Sequence, residues 1–242
     1  MYGLWVLLVI IFISSLPVII VYVWFRTAKY KFSHVWFLFA LLAGAAAFFP
    51  ALFLQEFLDF RIFTGRTALL YEFFIRIALS EELSRLLMLF IFFWIYGKIK
   101  PEKSLGQPLT FNVLKKGTAT GLVAGLGFSI LESARYAASN MDINIALLRL
   151  FTAALHGACG SRIGAATVMF PSNPVQALLR IITATAIHGI YNFLIIIPGL
   201  PSVAAILIAL SALITAILTI RGGWSSNEDI HYNSIDKTSE NI

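Results

Sequence analysis

Seven stretches of roughly twenty predominantly apolar residues succeed one another along the chain, joined by short polar connections. No other feature constrains the fold as much. A run of about 18 apolar residues can cross the hydrocarbon core of a bilayer as a helix. Within that core the backbone must satisfy its own hydrogen bonds, which a helix does inside one segment. Composition agrees. Of 242 residues, 59% are hydrophobic and 12% charged, with a mean hydropathy of +0.86, and few soluble domains approach these values. The expected fold class is all-α, a polytopic transmembrane bundle of about seven spans.

The spans are expected at about Leu4 to Trp24, Val35 to Leu54, Leu69 to Tyr96, Gly117 to Ala138, Ile143 to Phe170 and Pro174 to Ile197, with a seventh ending near Ile220. Gln55 to Thr67 reads as an amphipathic loop, and Pro198-Gly199-Leu200-Pro201 as a tight hairpin. The N-terminal Met1-Tyr2-Gly3-Leu4-Trp5 lacks the basic region and small-residue cleavage site of a signal peptide, so the first span is expected to be retained. Residues 1–220 form one transmembrane domain on this reading. Residues 221–242 are a polar tail with too little apolar content to fold alone.

The net charge of +6 lies mostly in short loops, where Lys and Arg set membrane orientation, and is not a nucleic-acid signal. Lys29, Lys31, Lys98, Lys100, Lys103, Lys115 and Lys116 all fall in loops of one side. That side is expected to be cytoplasmic, with the N-terminus outside and the C-terminal tail inside. Cys159 is the single cysteine, which excludes an intrachain disulfide and any cysteine-based zinc cluster.

Against this background several polar residues sit where lipid-compatible ones are called for. Ser80-Glu81-Glu82-Leu83-Ser84-Arg85 lies inside the third span. Arg85 is an i,i+4 neighbour of Glu81 and an i,i+3 neighbour of Glu82, so it can hold one carboxylate and leave the other for chemistry. A structural ion pair is the plainer reading, but charges within a membrane usually mark a functional site. Span four carries Glu132, span five His156, and span six His188 with Asn192 on the same face at i,i+4. At about 1.5 Å per residue, Glu81, Glu82 and His156 lie roughly 18 Å below the external ends of their spans. His188 lies about 13 Å down, Glu132 about 9 Å and Asn192 about 8 Å. Helices running in opposite directions thus place these residues at compatible depths, as one shared site requires.

Each has a structural alternative. A lone histidine can bond a neighbouring carbonyl, Glu132 can pair with Arg135 at i+3, and Arg76, Arg135 and Arg162 can be ion-pair or snorkelling residues. Cys159, three residues after His156, could be a thiol nucleophile but reads as one more small packing residue. Gly117, Gly121 and Gly125 in span four, and Gly157, Gly160 and Gly164 in span five, form small faces that admit close helix approach.

Carboxylates and histidines around a water suggest hydrolysis, with Glu81 or Glu82 as general base, His156 orienting the water, and His188 and Asn192 donating to the oxyanion. The same residue types could instead bind Zn²⁺ with a water in its shell, although no HExxH motif is present. Glu81-Glu82-x-x-Arg85, Gly127-Phe128-x-x-x-Glu132-x-x-x-Tyr136, His156 and His188-x-x-x-Asn192 together resemble the motifs of the PrsW family of intramembrane proteases. That family is similar to the group containing the CAAX endopeptidases and bacteriocin-processing proteases. Arg85 stands where PrsW members often have lysine, and Ser133 where they often have asparagine. The resemblance implies a peptidase of the cell membrane, often labelled a metalloprotease, and the depths together with the lysine distribution lead to an expected active site towards the extracytoplasmic side. Its substrates would be membrane-anchored proteins or peptides, in some members an anti-sigma factor. Two other functions fit the composition: a non-catalytic scaffold binding single-span partners through the glycine faces, and a proton-coupled transporter.

Overall fold

The computed structural model describes residues 2–28, 33–60, 62–99, 109–140 and 143–222. The expectations for Lys29, Lys31, Lys100, Lys103 and the tail from 223 onward lie outside these residues. Every described element is helical: α1 (Tyr2–Thr27), α2 (His34–Phe57), α3 (Gly65–Leu70), a π-helical segment (Tyr71–Leu79), α4 (Ser80–Ile99), α5 (Phe111–Asn140), α6 (Ile143–Met169), α7 (Pro174–Ile195) and α8 (Leu200–Arg221). α3, the π segment and α4 follow one another without a break. Four helices, α1, α2, α7 and α8, are long and apolar enough to cross a membrane by length and composition. Glu81, Glu82, Glu132 and His156 lie on the others, and His188 and Asn192 on α7.

Local chemistry sets several of the ends. Ser33 accepts a hydrogen bond from the Trp36 N–H at 3.1 Å and so caps α2. Asn173 does the same for the Gln176 N–H at 3.1 Å, and Pro174 occupies the first turn of α7. The hairpin between α7 and α8 turns at Gly199, where φ is +88°, a left-handed conformation that favours glycine. The loop expected over Gln55 to Thr67 is shorter than the sequence suggested: α2 runs on to Phe57 and α3 begins at Gly65. The extra turn places Gln55 inside the site described below.

Burial follows the logic of a bundle in lipid. Large apolar side chains point outward, for example Trp5, Phe12, Ile20, Phe49 and Phe53. The interior is built largely of alanine, glycine and small polar residues. α5 and α6 form the most extensive helix pair, and their glycine faces meet each other. A Cβ added at Gly121 would fall on the Gly160 carbonyl, one at Gly164 on the Gly117 carbonyl, and one at Gly125 on the His156 carbonyl. The two backbones therefore touch directly, and the glycines expected to receive partner helices are occupied within the chain. α2 crosses α5 in the same manner, with Gly44 against Ala124 and Gly127 against Leu41. α7 lies on α6 and α8 and meets the π segment, where the Phe74 ring packs on Gly189.

Candidate active site

Glu81 and Glu82 open α4, and both are buried together with Arg85. The i+3 and i+4 spacings place Arg85 Nη2 at 2.9 Å from Glu82 Oε1 and 3.3 Å from Glu81 Oε2. The guanidinium also stacks 4.7 Å from the Phe128 ring centroid on α5. Gln55 Nε2 donates to the other Glu81 oxygen, Oε1, at 3.1 Å. Arg76 does not join the site. Its Nη1 pairs with Glu72 at 2.8 Å and its Nε donates to the Gln55 carbonyl at 2.9 Å, which braces the end of α2.

The two histidines arrive from α6 and α7, and their rings meet edge to face with centroids 5.1 Å apart. His156 Nε2 lies 2.6 Å from Glu132 Oε2, and His188 Nδ1 lies 2.8 Å from Glu82 Oε1. A carboxylate only accepts, so each of these outer nitrogens carries the ring proton and donates it. The inner nitrogens, His156 Nδ1 and His188 Nε2, are then lone-pair atoms. They face Glu81 Oε2 at 3.9 Å and 3.7 Å, longer than direct hydrogen bonds. His156 Nδ1 is buried and has no hydrogen-bond partner among the described residues.

One atom each of Glu81, His156 and His188 that could serve as a metal ligand thus converges on one point, all within 4.8 Å of one another. Arg85 already offsets the charge of Glu81, and a cation or a proton-donating water between the three would also satisfy the inner histidine nitrogens. Two imidazoles and one carboxylate also form a known catalytic zinc donor set. Glu132 and Glu82, on the far nitrogens, supply the carboxylate–histidine orientation that metal-binding histidines usually have. The residues present fit a divalent metal.

A comparison with protein-family models matches residues 33–219 to the PrsW family intramembrane metalloprotease. The chain belongs to the PrsW family. No curated protein and no solved structure matches it. As a PrsW-family member the chain is an intramembrane peptidase, and the matched segment spans every residue of the cluster.

Of the three converging residues, Glu81 lines a cavity of about 410 Å³, together with Glu132, Asn192, Tyr136, Arg135, Arg149 and apolar side chains of α2 and the π segment, while His156 and His188 are buried beside it. Glu82 lies behind this wall, fully buried. Asn192, one turn beyond His188, reaches the cavity and has no side-chain hydrogen bond to a described residue. The pairing expected for Glu132 is different in the structure. Arg149 of α6, not Arg135, contacts Glu132, because α6 packs its first two turns against the end of α5. Arg149 Nε also donates to Ser133 Oγ at 3.2 Å, and its guanidinium lies over the Tyr136 ring at 4.5 Å.

Arg149 and Gln55 were missed by the sequence reading. For Arg149 a signal exists: it precedes His156 by seven residues, two helical turns on the same face of an apolar helix. Gln55 gives none, since a glutamine at a span end is unremarkable by pattern. Thr152 and Tyr191 also line the cavity and join α6 to α7 through their hydroxyls at 3.2 Å. Cys159 Sγ donates to the Ala184 carbonyl on α7 at 3.5 Å and is fully buried, as a packing residue is. Arg162 does not snorkel free. It bonds across to α8 through the Ala212 carbonyl at 3.3 Å and Thr215 Oγ1 at 2.9 Å.

Proposed function

We propose that this PrsW-family chain hydrolyses a peptide bond of a membrane-anchored protein or peptide at the cavity lined by Glu81 and Glu132, against which the buried His156 and His188 converge on Glu81. The convergence of Glu81 Oε2, His156 Nδ1 and His188 Nε2 carries this reading, since it is the place where a water and a metal ion fit. Those three residues would hold the metal, which when bound would acidify its water and polarise the scissile carbonyl.

The remaining residues have separable duties. Glu132 and Glu82 hold the outer ring protons and so keep the inner nitrogens free of protons. Arg85 and Gln55 fix one oxygen each of Glu81. Glu81 and Glu132 reach the cavity and Glu82 does not, so a proton leaving the attacking water goes to one of the first two. His188 commits its Nδ1 proton to Glu82, and Asn192, which reaches the cavity with no side-chain hydrogen bond to a described residue, serves as a donor to the developing oxyanion.

Seven membrane crossings account for the helices, counting the continuous α3–π–α4 unit as one. The cavity sits at the ends of α2, α5 and α7 and the start of α6, while Lys98, Lys115 and Lys116 mark the opposite end. The positive-inside rule then puts the catalytic cavity on the extracytoplasmic side of the cell membrane. The test is cleavage of a single-span reporter by purified protein in liposomes, with and without chelator. Cleavage that Glu81→Gln abolishes supports the reading. Cleavage unchanged by Glu81→Gln refutes it.

A further inference from the structure

At the opposite end of the bundle, two arginines inside apolar helices have no carboxylate within ion-pairing distance among the described residues. Arg162 lies on α6 seven residues before its end at Met169, and Arg180 on α7 six residues after its start at Pro174. Both are therefore about 10 Å in from that face. Arg162 Nη1 donates to the Ala158 carbonyl at 3.0 Å and the Ala212 carbonyl at 3.3 Å, which are dipoles and not counter-charges. Among the described residues, the hydrogen bond of Arg180 is from its Nε to Met169 Sδ at 3.1 Å.

Both guanidinium groups line two cavities, of about 300 Å³ and 160 Å³. Gln176 and Thr183 complete the polar lining of the first. Thr118, Ser161 and Thr219 contribute hydroxyls to the second.

We propose that Arg162 and Arg180 form a binding site for a phosphate group, supplied by the headgroup of an acidic phospholipid. Two like charges that share one low-dielectric wall repel each other, and an anion between them removes the repulsion. Guanidinium groups match phosphate oxygens in geometry, and the Gln176 side-chain amide can donate to an oxygen left over, whereas the threonine and serine hydroxyls already donate to carbonyls of their own helices.

Three observations select a lipid as the source. The larger cavity opens beside Leu179, which is 56% exposed among the outward-facing Val175, Leu178 and Ile182 of α7, so its mouth lies on the lipid-facing flank. A depth of about 10 Å suits the headgroup and glycerol region of one leaflet. The rim at this end is basic, with Lys98 closing α4, Lys116 near the start of α5 and Arg221 closing α8, and such a rim concentrates anionic lipid. The site is separate from the catalytic cavity, and its test requires no cleavage.

The experiment titrates full-length protein in neutral detergent with phosphatidylglycerol, phosphatidylcholine or inorganic phosphate, reading bound lipid by native mass spectrometry and thermal stabilisation. Wild type should bind phosphatidylglycerol in preference to phosphatidylcholine. Arg180→Gln should weaken that binding about tenfold or more, the loss expected for a charge-assisted contact. Arg180→Lys should restore most of it. Arg162→Gln alone could disturb the contact with α8, and Arg180→Gln avoids that difficulty because, among the described residues, the hydrogen bond of Arg180 is to a sulfur. Arginine-dependent binding of inorganic phosphate, with no preference for phosphatidylglycerol, would keep the anion site and overturn the lipid source. Equal phosphatidylglycerol binding by wild type and Arg180→Gln would overturn the proposal.

Discussion

Replacing Gly125 by alanine should disable the peptidase while leaving it folded. The added Cβ would be driven into the His156 carbonyl oxygen, far inside ordinary contact. Restoring a normal separation of about 3.5 Å requires α5 and α6 to part by about 1 Å or more at that level. His156 would move with its backbone, away from Glu81 and from Glu132. A misplacement of about 1 Å costs on the order of 10²-fold in turnover. The same overpacking costs about 1–3 kcal/mol of stability, which a domain of about 5–15 kcal/mol survives.

Gly157→Ala provides the comparison, because it lies next to His156 in sequence yet its Cβ would meet only the ends of leucine side chains, Leu122 Cδ1 at 3.0 Å and Leu126 Cδ2 at 3.4 Å. Those ends can shift, and turnover should stay within roughly threefold of wild type, as for a change of about 0.5 kcal/mol. The assay is reporter cleavage in liposomes, paired with thermal unfolding of each variant. Full activity in Gly125→Ala, or an equal loss in Gly157→Ala, would show that backbone contact between α5 and α6 does not set the position of His156.

Three further expectations rest on the same geometry. Glu81→Gln should abolish turnover, whereas Glu82→Gln, which loses only the partner of His188 Nδ1 and one Arg85 contact, should leave measurable activity; the reverse ranking in reporter cleavage would exchange their roles. Asn192→Ala should lower kcat by about 10²–10³-fold with little change in KM, and a pure KM effect would make Asn192 a substrate-binding residue instead. Elemental analysis of purified protein should find about one divalent metal per chain, lost in the double variant His156→Ala/His188→Ala but kept in Asn192→Ala. Metal content indifferent to the histidines would move the ion elsewhere.

What the sequence revealed and what it withheld divide along the range of the interactions. The Glu81–Glu82–Arg85 cluster was legible because i+3 and i+4 spacing along one helix forces those side chains together. The helical bundle was legible because hydrocarbon permits few alternatives. Depth counting assigned Glu132 and His156 different depths, about 9 Å and 18 Å, yet their side chains meet at 2.6 Å. Simple counting ignores helix tilt and the reach of a glutamate. Arg149 escaped because its partner, Glu132, lies on another helix, and the sequence offered Arg135 as a nearer candidate. His188 could be placed on a face with Asn192, but which ring nitrogen it presents depends on Glu82, 106 residues away. Tautomer choice is a tertiary property.

The π-helical run from Tyr71 to Leu79 reaches beyond local geometry. It ends one residue before Ser80-Glu81-Glu82, so the angle at which both carboxylates leave the helix depends on how many residues its wide turns contain. Removing one residue from an α-helical register turns everything downstream by about 100°. Phe74, within the run, rests on Gly189, the immediate neighbour of His188. The same short segment therefore sets the rotation of the carboxylate pair and the seat of a histidine on another helix. An insertion or deletion anywhere in these nine residues would misalign two of the three converging donors at once, without altering any of the residues that carry them.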